Sequence, residues 1–448
     1  MEHTIKVKVT DFRAVDSAEI VLDGITVVSG ENGCGKSTLS KLLYYAFKTV
    51  NEYELMVRQN LYVSVDAILK RTSNLFMDLT PWLKRYNKDL ISSNLFPCKE
   101  DFFLLPLSAL MDICFTYLSP LYQFAQFNTE RYTPEDREFV SAFLVRARMI
   151  LISILREHGL TDDYSESPFD TIITALKEII SRQFVMAKAK LEARNIDMLD
   201  SVFARSFSGQ IVKDKFMLYE YGACITDRKH NRVLNLSSIE RVLYMDTPMA
   251  VGVDNGFVHW RELNEILRST AYSGLVREEV EALLSNEILH GNIGIDKNLT
   301  ERFEYLRSDG LKVNLLDCAT GIKAFAVLQL LIKNGFLNNK TLLIIDEPEA
   351  HLHPQWIVEY ARLVVLLNKE LGVKFFIVTH NPDMISALKY ISEKEGVSKE
   401  LNFYLAEKKS TFSYTYKALG AEIDEIFGSF NIALDRINQY GVVEDEIL

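Results

Sequence analysis

The sequence predicts an α/β protein, a mostly parallel sheet flanked by helices and opened by a large α-helical insertion. Three observations carry this expectation. The β-branched run Ile25-Thr26-Val27-Val28 leads into a glycine-rich loop and then a helical stretch over residues 37–48. Apolar runs at 342–345 and 374–378 are each bounded by turn signals and followed by a helical pattern, the alternation of a sheet covered by helices. Between these, over 51–205, glycine almost vanishes and apolar residues recur at three and four.

In chain order, Ile5-Lys6-Val7-Lys8-Val9 alternates apolar and basic residues, the two-residue period of a half-exposed strand, and 19–22 forms a second. Within the insertion, Ile172, Leu176, Ile179, Ile180 and Phe184 make an apolar stripe, and 139–155 makes another. Neither sustains heptads, so a compact helical unit is expected rather than coiled-coil arms. Residues 102–127 approach membrane-spanning length. However, Asp112, Pro106 and Pro120 lie inside, and a bilayer-buried aspartate is costly, so the stretch is assigned to a core or a subunit contact. Strand patterns return at 216–221 and 242–245, helices are expected across 260–288, and a final α/β section begins near 312. The expected division is therefore 1–50 as the first part of the main domain, 51–205 as the insertion and 206–448 as the remainder.

The 448 residues carry a net charge of −11, which excludes a protein that coats nucleic acid through global positive charge and leaves room for a local basic groove. The five cysteines include no Cys-x-x-Cys pair, which points to free thiols in a reducing compartment. The start, Met-Glu-His-Thr-Ile-Lys-Val, lacks the apolar core of a secretory signal. A cytoplasmic location is expected.

The chemistry concentrates at three places. Gly30-Glu31-Asn32-Gly33-Cys34-Gly35-Lys36-Ser37 matches G-x-x-x-x-G-K-[ST] in full, and Thr38 follows. Glycines let the loop backbone curl its N–H groups onto phosphate oxygens. Lys36 adds a charge at the β- and γ-phosphates, Ser37 a magnesium ligand, and the following helix its N-terminal N–H groups. The strand at 342–345 ends in Asp346 and Glu347: the first is placed to orient the magnesium shell, the second to polarise an attacking water. Residues 375–379 end the same way at His380, which can sense the γ-phosphate. His351 and His353 suggest a metal, but no further ligand has the spacing to join them, and a loop facing a second subunit suits them better.

Together these residues resemble the P-loop NTPases of the ATP-binding-cassette superfamily, in its soluble SMC/RecF-like and OLD-like branch. Thr10-Asp11-Phe12-Arg13 is similar to that branch's N-terminal Asn-Phe-Arg element, which brings Arg13 into the expected nucleotide site. The family's signature segment is matched best by Cys318-Ala319-Thr320-Gly321-Ile322-Lys323. By resemblance Thr320 and Gly321 contact the γ-phosphate held by another subunit, and Lys323 adds charge there. Ile322 replaces the usual second glycine. The family's glutamine loop is not located; Gln59 and Gln210 are the candidates considered. The runs 319–323, 346–354 and 402–407 are also similar to anti-phage ATPase subunits of the PtuA type in Septu and the AriA type in PARIS. The resemblance implies ATP and Mg²⁺ as cofactors, an ATP-sandwich dimer or higher homo-oligomer, and a separate nuclease or toxin as effector, without a membrane. The alternative is a RecF/SMC-like ATPase that binds DNA in repair or maintenance, through basic clusters at Lys84, Arg85, Lys88 or Arg228, Lys229, Arg232.

Overall fold

Strand alternation and apolar runs become a ten-stranded sheet in the computed structural model, which describes residues 4–86, 97–125, 133–160, 164–246, 250–253, 258–269, 278–296 and 302–428. The chain divides into two units, 1–51 with 196–448 and 52–195. In the first unit the strands are β1 (Ile5–Phe12), β2 (Val15–Val21), β3 (Ile25–Ser29), β4 (Phe216–Glu220), β5 (Ala223–Cys224), β6 (Thr226–Asp227), β7 (Arg232–Val233), β8 (Arg241–Met245), β9 (Gly291–Asp296), β10 (Arg302–Arg307), β11 (Lys312–Asn314), β12 (Thr341–Asp346), β13 (Lys374–Thr379), β14 (Leu401–Ser410) and β15 (Ser413–Gly420). The large sheet has the order β5-β4-β1-β2-β15-β14-β3-β13-β12-β8. Pairing is parallel from β14 through β3, β13 and β12 to β8, and again between β15 and β2. It is antiparallel at β14–β15 and across β2, β1, β4 and β5.

The central strands read as unbroken apolar runs because both sheet faces are covered. Leu343 and Ile345 of β12 enter one apolar layer and Leu342 and Ile344 the other. Helices α10 (Thr320–Lys333), α11 (Pro354–Leu371) and α12 (Pro382–Glu395) contribute to the first layer, and α1 (Lys36–Asn51) and α7 (Asp197–Ser206) to the second. The first unit also holds α8 (Val258–Arg268) and α9 (Glu278–Ala282). The expected helical stretch at 260–288 is thus α8 and α9 followed by a π-helical turn at Leu283–Ile288, and 270–277 lie outside the described residues. The three-stranded sheet β9–β10–β11 was not foreseen.

The second unit is helical: α2 (Tyr53–Tyr86), α3 (Lys99–Leu104), α4 (Leu107–Ala125), α5 (Pro134–Glu157) and α6 (Phe169–Ala193). Helix α6 packs against α2, α4 and α5 through the expected stripe, with Ile172, Leu176, Ile179, Ile180 and Phe184 all buried. In the apolar stretch noted above, α4 turns Leu110, Cys114, Leu118 and Leu121 inward. No helix among the described residues is long and apolar enough to cross a membrane. Helix α7, inside the insertion by sequence, packs against α1 in the first unit, with Phe203 edge-on to Phe216 and Phe207 edge-on to Phe12.

Strand β12 lies between β13 and β8 with every residue buried. Truncation of Ile344 therefore leaves a cavity in the sheet centre. Ile344→Ala is expected to lower the unfolding free energy by about 2–5 kcal/mol, read by urea denaturation. A loss well under about 1 kcal/mol would contradict the enclosed placement of β12.

Candidate functional site

Parallel pairing sets three chain segments at one sheet edge. Ser29, the last residue of β3, is level with Thr379 of β13, and Asp346 of β12 is level with Val378. The loop after β3, Glu347 after β12 and His380 after β13 therefore leave the same edge, where open α/β sheets bind ligands.

The loop leads into α1, whose first turn contains Lys36, Ser37 and Thr38 and no acidic residue, so its N–H groups present uncompensated positive charge. Gly35 sits at φ +101°, and a Cβ there would meet Val15 Cγ2 at 2.9 Å. The β1–β2 turn thus packs directly on the loop. Tyr416 donates its hydroxyl to the Cys34 carbonyl at 2.9 Å, which fixes the loop from β15. Lys36 is buried, its ammonium donating to the carbonyls of Gly30 (2.8 Å) and Glu31 (2.9 Å). Glu31, Asn32, Gly33 and Ser37 are exposed.

Asp346 is buried, and Tyr244 donates to its Oδ2 at 3.3 Å. Its Oδ1 has no hydrogen-bond partner among the described residues. Burial pushes the Asp346 carboxyl up to about 6, against the hydroxyls of Ser37 and Tyr244 and with the charges of Glu347 and Asp246. Glu347 follows with φ 54°, in the left-handed region that costs a non-glycine residue strain, and its N–H donates to Val378 O at 2.8 Å. His380 Nδ1 lies 3.4 Å from Glu347 Oε1 and 3.6 Å from Glu349 Oε1, with the ring half exposed.

Two groups were missed by sequence. Glu349 is buried, and its Oε1 accepts from Thr379 Oγ1 at 2.7 Å and from the His380 N–H at 3.2 Å. Burial raises its pKa. Asp246 follows β8 beside Asp346, because Met245 pairs with Ile345. Trp260 Nε1 donates to its Oδ1 at 2.5 Å, and His259 Nε2 lies 3.2 Å from its Oδ2. The signal for Asp246 was an apolar strand ending in a carboxylate, the pattern already noticed at Asp346.

The signature segment is placed differently from expectation in one respect. Thr320 and Gly321 begin α10, and a Cβ on Gly321 would meet the Trp356 ring at 2.6 Å, so glycine allows α11 to approach. Lys323, expected to extend charge toward a partner's nucleotide, is instead buried, with its ammonium donating to Leu316 O at 2.7 Å. One helical turn past Thr320, its side chain points into the protein and pins the segment before α10. Arg13 holds its guanidinium 5.0 Å over the Phe207 ring and donates to Gln210 Oε1 at 2.7 Å, so both residues brace the β1–β2 turn. Gln59 lies in α2 of the second unit. His353 caps α11, its Nδ1 accepting from the Gln355 N–H at 3.4 Å, and His351 is exposed.

Two family models match the sequence: "AAA ATPase domain" over residues 4–195, which include the phosphate loop, and "AAA domain, putative AbiEii toxin, Type IV TA system" over 227–386, which include Asp346, Glu347 and His380. Solved structures that align include the Smc head domain with an extended coiled coil bound to the C-terminal domain of ScpA from Pyrococcus furiosus. It is 12% identical, covers 97% of this chain and 98% of that chain, and has a TM-score of 0.34. The SMC head domain from Thermotoga maritima is 14% identical over 46% of this chain and 64% of that one, with a TM-score of 0.28. The cbiO1 protein from Clostridium perfringens, part of the ABC transporter complex cbiONQ, is 15% identical over 54% and 82%, with a TM-score of 0.25. No curated protein matches. Fold and motifs define a P-loop nucleotide-binding class. Within it, residues 4–195 and 227–386 are similar to AAA-type ATPase domains.

The raised Asp346 pKa has a signed consequence. The folded state holds this proton more tightly than the unfolded chain, whose carboxyl titrates near 3.8, so stability at this site is present at low pH and is lost as pH rises from about 4 to 6. Asp346→Asn removes that loss. Its stability advantage over the wild type is expected to grow by on the order of 1 kcal/mol between about pH 5 and pH 7.5. Urea denaturation of both proteins without nucleotide checks this; an advantage that shrinks with pH would contradict the burial of a charged carboxylate.

Proposed function

We propose that the chain is an ATP-hydrolysing conformational switch that works as an ATP-sandwich dimer, or a higher homo-oligomer, and controls a separate nuclease or toxin in anti-phage defence. The observation that carries hydrolysis is the 3.4 Å approach of His380 to Glu347 at the sheet edge that also bears the phosphate loop. The loop N–H groups and the α1 N-terminus receive the phosphates. Lys36 exchanges two carbonyl acceptors for phosphate oxygens, a gain because charge-assisted hydrogen bonds are the stronger kind. Mg²⁺ fits the donors present: Asp346 Oδ1 is buried without a partner among the described residues, and the Ser37 hydroxyl lies beside that carboxylate. When bound, the ion neutralises charge on the phosphate oxygens. Glu347 takes the proton of the attacking water, and His380 contacts the γ-phosphate or that water.

Thr320 and Gly321 open α10, so the first N–H groups of that helix suit the γ-phosphate on a second copy. Losing that phosphate on hydrolysis removes the differential contact that holds two copies together. A link to toxin–antitoxin systems comes from the match over 227–386, whose description reads "putative AbiEii toxin, Type IV TA system" for the matched domain itself. In one basic cluster of the DNA-binding alternative, two of the three cations are held by carboxylates. Arg228 is paired with Asp200 and Asp214, and Arg232 and His230 with Asp227. Of the other, the side chains of Lys84 and Arg85 and all of Lys88 lie outside the described residues.

Glu347→Gln is expected to keep ATP binding, lower kcat by roughly 10²–10⁴-fold and accumulate an ATP-bound dimer. Phosphate release and light scattering with ATP read both effects, and near-normal turnover would sink the assigned base. Lys36→Ala is expected to weaken nucleotide affinity itself; an unchanged Kd would overturn the phosphate-loop assignment. For the effector, the ATP-bound Glu347→Gln protein is expected to retain the product of an adjacent nuclease or toxin gene. Absence of phage protection by the wild type expressed with that gene, or absence of a nucleotide-dependent partner, would discard the defence role.

A further inference from the structure

Glu349 has a more specific place in the site than a buried carboxylate needs. It is 7% exposed, yet among the described residues it is neither ion-paired with a lysine or arginine nor saturated with donors. Oε1 accepts two hydrogen bonds from consecutive residues of one strand end, Thr379 Oγ1 at 2.7 Å and the His380 backbone N–H at 3.2 Å. Oε2 is enclosed without a partner among the described residues. An enclosed, unpartnered carboxylate oxygen is costly, and a residue serving only to fill this turn would be apolar. The feature that repays the cost is next to it. Glu349 Oε1 is 3.6 Å from His380 Nδ1, and Glu347 Oε1 is 3.4 Å from the same nitrogen.

We propose that Glu349 is a positioning residue for hydrolysis, holding the His380 backbone and ring so that Nδ1 faces the two carboxylates and Nε2 faces outward. Carboxylates on the Nδ1 side favour a proton on that nitrogen and fix the ring plane, as partners of a functional histidine do elsewhere. Because the bonding directions of Nδ1 and Nε2 diverge widely, Nε2 is then aimed away from the two carboxylates and toward the nucleotide. Thr379 completes the tether: its hydroxyl donates to Glu349 and accepts from the Asn381 N–H at 3.0 Å, which links the carboxylate to the first turn of α12.

The inference rests on the assignment of Glu347 and His380 to hydrolysis, and a double-mutant cycle separates the two. Steady-state kcat, KM and affinity for a fluorescent ATP analogue are measured for the wild type, Glu349→Ala, His380→Ala and the double variant. Glu349→Ala is expected to lower kcat at least tenfold with affinity changed less than about threefold, and to have almost no further effect once His380 is alanine. Glu349→Gln keeps an acceptor for both donors and is expected to recover most of the lost rate. Thr379→Val, of nearly equal volume, is expected to lower kcat in the wild-type background and not in His380→Ala. It serves as the decisive variant if Glu349→Ala fails to fold. Full additivity of the Glu349 and His380 effects, or a wild-type kcat in Glu349→Ala, overturns the positioning role. A wild-type kcat in His380→Ala instead overturns the underlying assignment of the histidine.

Discussion

A one-residue slip in a parallel sheet exchanges the side chains on a strand's two faces, and here both faces are close-packed against helices, so β3, β13 and β12 are held in the observed register. That register puts Ser29 level with Thr379 and Val378 level with Asp346. Everything chemical in the first unit follows from this alignment. Apolar residues on both faces of each strand hold it, and three segments distant in sequence must then leave the sheet together. The phosphate loop, the acidic pair and His380 meet because the strands beneath them cannot be offset.

The strands end in groups whose burial opposes folding. Asp346 and Glu349 both sit in surroundings that disfavour their charged forms. Glu347 adopts a left-handed backbone that most side chains avoid. Asp246 adds a further negative charge beside Asp346, while Trp260 and His259 hold it in place. Such a concentration of negative charge and strain has no structural advantage. It is intelligible as a site preorganised for a cation and for groups that develop charge during reaction, with the sheet core carrying the cost.

The parts of this arrangement legible in the sequence are those encoded within a few residues. The phosphate loop announces itself because curling a backbone around an anion needs glycines, a lysine and a hydroxyl at fixed spacing. The strands β12 and β13 announce themselves because a strand buried on both faces is a continuous apolar run. Glu349 was read only as part of a run, since its meaning depends on Thr379 and His380, thirty residues on and one strand across. The sheet β9–β10–β11 was missed because its short strands are interrupted by polar residues and its pairing partners are set by tertiary contacts. Lys323 shows the limit of a motif comparison. A lysine near a helix start reads as an exposed charge, whereas here its stem is buried and its ammonium is taken by Leu316 O.

The segment 347–356 joins these elements into one mechanical path. At one end Glu347 meets His380, and Glu349 holds the backbone of that histidine. Past the turn, Leu352 and Trp356 lie against Gly321, so closely that no side chain fits there. Hence the residues assigned to hydrolysis and the start of α10 rest on opposite ends of a ten-residue stretch, anchored between by the His353 cap of α11. A displacement of Glu347 or His380 cannot be absorbed by a flexible side chain at Gly321, where ring packs directly on helix backbone. The start of α10 therefore shifts with α11 or loses its packing, and in the proposed dimer either response would alter the face offered to a second copy. In the proposed switch, close packing, more than any single hydrogen bond, would carry nucleotide state to assembly.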